Sequence, residues 1–138
     1  MKKNILIAFG FSLFLFACTR NAEKIITVNG PISPDQLGFT LPHEHVLVDF
    51  IGADSAEPPR YTREAALKVI LPRIKALLPY GVQTFVECTP RFLGRDPLLL
   101  KQLSDSTGIQ FLTNTGFYGA QKNKFIPDSV ELMTPEQM

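Results

Sequence analysis

Between residues 62 and 78 the apolar side chains recur every three or four positions, at Leu67, Ile70, Leu71, Ile74, Leu77 and Leu78, while Lys68, Arg73 and Lys75 fall off that stripe. This period predicts an amphipathic helix. Thr62 suits its N-cap and Glu64 its positive end. Pro72 falls inside the pattern and predicts a kink or a split. Pro79-Tyr80-Gly81 then predicts the stop. Val82 to Cys88 reads as a buried strand. Asp96-Pro97 pairs an N-cap with proline at the first helical position, and Leu98 to Asp105 continues that helix toward Gly108. Ile109 to Leu112 reads as the next strand. Upstream, Ile25 to Val28 is a short β run broken by Asn29-Gly30-Pro31, a hairpin signal, with a second extended piece around Ile32. Gly38 to Leu41 opens a strand expected to run through Pro42-His43-Glu44-His45 as far as Val48. Strands alternating with helices across short connections predict α/β architecture, with a parallel sheet of about three βα units behind a β-hairpin.

The first residues follow another pattern. Lys2 and Lys3 precede an apolar run from Ile5 to Ala17, which is short for a membrane span and has the form of an export signal. Leu15-Phe16-Ala17-Cys18 resembles a bacterial lipobox. Residues 1–17 are therefore expected to be a lipoprotein signal peptide, with residues 18–24 forming a lipidated Cys18 and its tether. The product would be an exported, lipid-anchored cell-envelope protein, facing the periplasm or on the outer membrane. Acyl chains contribute about 0.8 kcal/mol per buried CH₂, enough for durable attachment to the membrane. Cys88 would then be the one thiol left, unable to form an internal disulfide and expected to be a small buried apolar residue.

Composition adds exclusions. With 45% hydrophobic and 20% charged residues and a formal net charge of +1, the chain has no electrostatic footprint for nucleic acid. It shows no solenoid repeat. Thr134-Pro135-Glu136 reads as another helix start close to Met138, so residues 25–138 are expected to be an incomplete domain. Three core strands also leave a sheet edge unpaired.

His43 and His45 are the only two histidines. Side chains alternate along a strand, so both would share one face and Glu44 the other. Two imidazoles on one face suit a borderline divalent metal, zinc above all. Exposed or otherwise satisfied histidines are the competing reading of the same spacing. Their place near the C-terminal end of the first core strand favours the metal, because βα-barrel sites lie at that end.

The segments Ile26 to Ile32 and Leu37 to His45, then Glu87-Cys88-Thr89, Gly94-Arg95-Asp96 and Thr115-Gly116-Phe117-Tyr118, together resemble the phosphotriesterase family of the amidohydrolase superfamily. The resemblance implies the N-terminal part of a TIM (β/α)8 barrel whose binuclear metal centre lies at the strand C-termini. It implies that His43 and His45 bind the more buried metal. Tyr118 would line the leaving-group side of the pocket or pack in the core. Glu87 would be an acid supporting the metal ligands or a buried structural partner, and Gly94-Arg95-Asp96 would shape a loop and cap its helix. The family's bridging carboxylated lysine, its two further histidines and its aspartate base fall on later strands, and Lys122 and Lys124 come too early. No catalytic residue is therefore assigned within this chain, which is expected to be inactive alone. The whole enzyme would be a zinc-dependent hydrolase of small-molecule esters (a phosphotriester, lactone or carboxylic ester), acting through metal-activated hydroxide. The other readings are a small envelope lipoprotein serving as a binding or scaffold module, or a deaminase or amidase branch of the superfamily.

Overall fold

A computed structural model describes residues 23–134. The basic and apolar leader, Cys18 and the Pro135-Glu136 helix start lie outside the described residues. Strand β1 (Ile25–Thr27) pairs antiparallel with β2 (Gly30–Ile32), Ile25 facing Ile32. The turn between them is fastened locally, as the Thr27 hydroxyl donates to the Gly30 carbonyl and accepts from the Asn29 amide.

Three parallel strands follow, β3 (Phe39–Glu44), β4 (Val82–Glu87) and β5 (Gln110–Thr113), in the order β3-β4-β5. Helix α1 (Arg63–Lys75) connects the first two and α2 (Pro97–Thr107) the last two. This is the α/β arrangement of βα units that the sequence pattern predicts. The hairpin docks on the far unit, with the Val28 amide donating to the Phe111 carbonyl and the Asn29 side-chain amide to Ser104 Oγ and Asp105 Oδ1.

The β4–β5 register is regular, whereas the β3–β4 register slips. Leu41 faces Phe85 and Glu44 faces Glu87, so β3 advances three residues while β4 advances two. Proline has no N–H to give a ladder, and Pro42 sits within this bulge. The strand also ends at Glu44, short of the expected Val48, which leaves His45 just beyond it.

One sheet face is sealed by the helices. Phe85 and Phe111 lie 5.0 Å apart between ring centroids and pack with Leu99, Leu100, Leu103, Ile74 and Ala66. Helix α2 fits the expectation closely, with Asp96 as N-cap, Pro97 at its first turn and Gly108 closing it. In helix α1 Thr62 is the cap as expected, and of the kink or split expected at Pro72 the split is absent, since the helix runs on to Lys75. Lys68, whose carbonyl loses its amide partner at Pro72, lies on the exposed side where water can replace it. Leu78 leaves the stripe: it begins a separate 3-10 turn (Leu78–Tyr80) and is 42% exposed. On the sheet, Phe39 remains 57% exposed.

The loops at the strand C-termini interlock. The Asp49 amide donates to the Leu93 carbonyl, and the Ala53 amide to the Lys124 carbonyl. Two glycines permit these approaches. A Cβ on Gly94, at φ +121°, would lie 2.7 Å from the Leu47 oxygen; one on Gly52, at φ +115°, would lie 3.2 Å from Lys124 Cε.

Candidate active site

The bulge at Pro42 lies one residue before His43, and His45 follows the strand's last residue. Both imidazoles face one cavity of about 490 Å³, with ring centroids 5.4 Å apart and planes inclined at 76°. The shared face inferred from strand alternation is therefore present. Glu44 does not line this cavity; its backbone carbonyl accepts from the Cys88 amide, tying β3 to the end of β4.

Glu87 ends β4 and is 2% exposed. Its Oε1 accepts from the Val46 amide at 3.3 Å and its Oε2 from the Thr89 amide at 3.1 Å. Burial pushes its carboxyl above the usual range, against the opposing pull of these hydrogen bonds and of nearby His45. Glu87 is thus a buried partner of backbone amides, and it also reaches a histidine through one intermediary, since His45 Nδ1 lies 3.0 Å from Thr89 Oγ1. Thr89 is wholly buried.

Cys88 corrects an expectation. It is half-buried and lines the cavity beside His43 and His45. With Glu87 turned away from the cavity, alternation turns the next side chain into it. The opposite wall comes from the segment after β5, where Asn114, Phe117 and Tyr118 line the same cavity. Tyr118 both lines this cavity and packs against an aromatic neighbour. It is 44% exposed at the cavity, and its ring lies 5.7 Å from that of buried Phe125, to which it is also joined by a backbone bridge. Arg95 Nη1 donates to the Asn114 carbonyl at 2.6 Å, bracing this wall from the β4–α2 loop. Asn114 Oδ1 is buried without a hydrogen-bond partner among the described residues.

Asp96 lies outside the cavity, in keeping with the structural role expected for Gly94-Arg95-Asp96. Its carboxylate accepts from the Leu98 and Leu99 amides, the Tyr61 hydroxyl and Arg63 Nε. The thiol of Cys88, the amide of Asn114 and the hydroxyl of Thr89 were not singled out by sequence reasoning as site groups. Alternation carried on from Glu87 would have found Cys88. The other two depend on loop geometry.

As a metal site the arrangement is partial. The donor chemistry fits a divalent ion, two imidazoles opening on one cavity, but no group of three or more His, Cys, Asp or Glu side chains among the described residues could hold one.

Comparison with known proteins agrees with this geometry. The organophosphorus hydrolase from Deinococcus radiodurans superposes with a TM-score of 0.62 at 40% identity, over 72% of this chain and 30% of that one. In sequence, the aryldialkylphosphatase of Saccharolobus solfataricus is 31% identical over 87 residues, covering 63% of this chain and 28% of its own. The N-acetyltaurine hydrolase of Xenopus tropicalis is 30% identical over 142 residues, covering 83% and 40% respectively. The chain therefore spans well under half the length of these relatives and matches their N-terminal portion. Its sheet and helices correspond to part of a phosphotriesterase TIM barrel. The sequence model of the Phosphotriesterase family matches residues 23–138, and by that match this chain belongs to the phosphotriesterase family.

Proposed function

We propose that this chain is the N-terminal, metal-binding part of an exported metal-dependent hydrolase that cleaves a neutral small-molecule ester, whether phosphotriester, lactone or carboxylic ester. One observation carries the reading: two imidazoles open on a single cavity at the C-terminal end of the first core strand. A divalent metal, zinc by the donor set, would be held by His43 and His45 and would supply Lewis acidity and an activated water when bound. Family resemblance supports two ions in the whole enzyme, with the remaining ligands and the base on later strands.

The chain's own residues define what the cavity accepts. Among the described residues its lining holds no Asp, Glu, Lys or Arg; Val48, Phe50, Leu93, Phe117 and Tyr118 make it mostly apolar. Such walls exclude water from apolar ester substituents and offer no counter-charge to an ionised substrate, which favours a neutral ester. Asn114 adds an amide-bearing residue to this lining.

Calorimetric zinc titration of the full chain against the His43→Ala/His45→Ala variant tests the ligands. Weak zinc uptake by the chain and none by the variant is expected. Equal uptake by both would refute the assignment. In a full-length protein carrying this sequence, the same double change is expected to abolish ester hydrolysis. Localisation rests on the lipobox-like Leu15 to Cys18. Fatty-acid labelling of cells should mark the wild type and spare Cys18→Ala; equal labelling would rule the lipid anchor out.

A further inference from the structure

A neutral imidazole offers a lone pair on one nitrogen only when the other nitrogen carries the proton. Whatever faces the second nitrogen therefore decides which atom can bind a metal. At His45 that partner is defined, because Nδ1 lies 3.0 Å from Thr89 Oγ1. His43 has no hydrogen-bond partner on its ring among the described residues; its one ring contact is His45 itself.

Thr89 is 0% exposed, so no solvent competes for its hydroxyl. That hydroxyl has one proton. It adjoins the Glu87 carboxylate, which accepts from the amides of Thr89 and Val46 and whose charged form the Thr89 side chain favours. A hydroxyl that donates to a carboxylate can only accept from its other neighbour. Its other neighbour is His45 Nδ1, which must then bring the proton. The lone pair of His45 is left on Nε2.

We infer that Thr89, held by Glu87, is a positioning residue that fixes His45 as its Nδ1–H tautomer and so reserves Nε2 for the metal. This rests on the reading of His45 as a metal ligand. Partners of this kind orient a ligand ring and raise its basicity, and losing one costs about 10- to 100-fold in metal affinity. The device also gives the two histidines different tasks. His45 is set before the metal arrives, whereas His43 is set by the metal.

The test reads the tautomer with no metal present. In the ¹⁵N-labelled full chain at about pH 8, where imidazole is neutral, long-range ¹H–¹⁵N correlation distinguishes protonated from bare ring nitrogens. The expected result is a protonated Nδ1 at His45 in the wild type and in Thr89→Ser, and its loss in Thr89→Val, with His43 unchanged throughout. Zinc affinity in Thr89→Val is expected to fall about 10- to 100-fold. A wild-type His45 protonated mainly on Nε2 would overturn the proposal, and this needs no variant to fold. Zinc binding by Thr89→Val at the wild-type level would overturn it too. A fixed Nδ1–H tautomer in a chain that takes up no zinc would uphold Thr89 and refute the ligand reading of His45 instead.

Discussion

Two buried carboxylates stand nine residues apart in this chain, and they are satisfied in different ways. Asp96, 8% exposed, meets the start of α2, the Tyr61 hydroxyl and the guanidinium of Arg63. It has a cation and a helix N-terminus, the two partners that suit a buried negative charge. Glu87, 2% exposed, meets two backbone amides and the Thr89 side chain. It makes no ion pair among the described residues, and burial holds its carboxyl above the usual range. The contrast separates an acid that holds two helices together from an acid whose natural cation lies across Thr89, at the histidines. A buried acid without a salt bridge marks a functional centre more often than a paired one does.

The largest test of this contrast is Asp96→Ala. It removes the α2 cap and the tie to α1, and should lower stability by about 2 kcal/mol, taking cap and hydrogen-bond losses together and discounting Arg63 for screening because that side chain is 46% exposed. Urea unfolding reads the loss, and zinc uptake by the folded fraction should not change. If zinc affinity fell as well, the separation of roles would fail. Next in size is Glu87→Gln, expected to weaken zinc binding about tenfold while costing less stability than Asp96→Ala. The same variant carries a pH signature. The folded-state pKa of Glu87 is raised from its ordinary 4.5. Its favourable contribution is therefore complete below about 4.5 and is lost as pH rises through the elevated value. Stability of the wild type relative to Glu87→Gln should decline over that window, and a flat difference would contradict a buried, unpaired acid. The smallest effect is spectroscopic. Burial, with the negative charge of Asp96 and its hydrogen bond, pushes the Tyr61 hydroxyl up to about 12. Ultraviolet titration should show Tyr61 ionising near pH 12, and Asp96→Asn should bring it earlier. A Tyr61 ionisation that Asp96→Asn leaves in place would argue against the Asp96 cluster.

The sequence reveals these two acids unequally. Asp96 is legible because its main task is local: an aspartate, a proline and an apolar run in series define a helix start wherever the rest of the chain goes. Its bonds to Tyr61 and Arg63 span 35 and 33 residues, and no periodicity announces them. The link from Glu87 through Thr89 to His45 is harder still, since it depends on how β3 and β4 align. That alignment slips at Pro42, which was visible as a proline but not as a bulge. Helix α1 shows the same limit, because its stripe gives the type of element correctly but cannot show that Leu78 falls into a separate turn. The shared face of His43 and His45 was legible because alternation along an extended backbone, which carries on past the end of β3 to His45, needs no partner to define it.

The loop that carries His45 away from β3 is gripped on both sides where glycine alone fits, by Gly94 against Leu47 and by Gly52 against Lys124. Every single-nucleotide change that alters a glycine codon to another amino acid installs a side chain, and here that side chain would meet backbone or a packed lysine at a φ that disfavours it. The genetic code therefore offers no gentle step at these positions. Much of the mutational fragility of the histidine corner is lodged in two residues that have no chemistry of their own, and a screen that surveys only polar residues would pass over both.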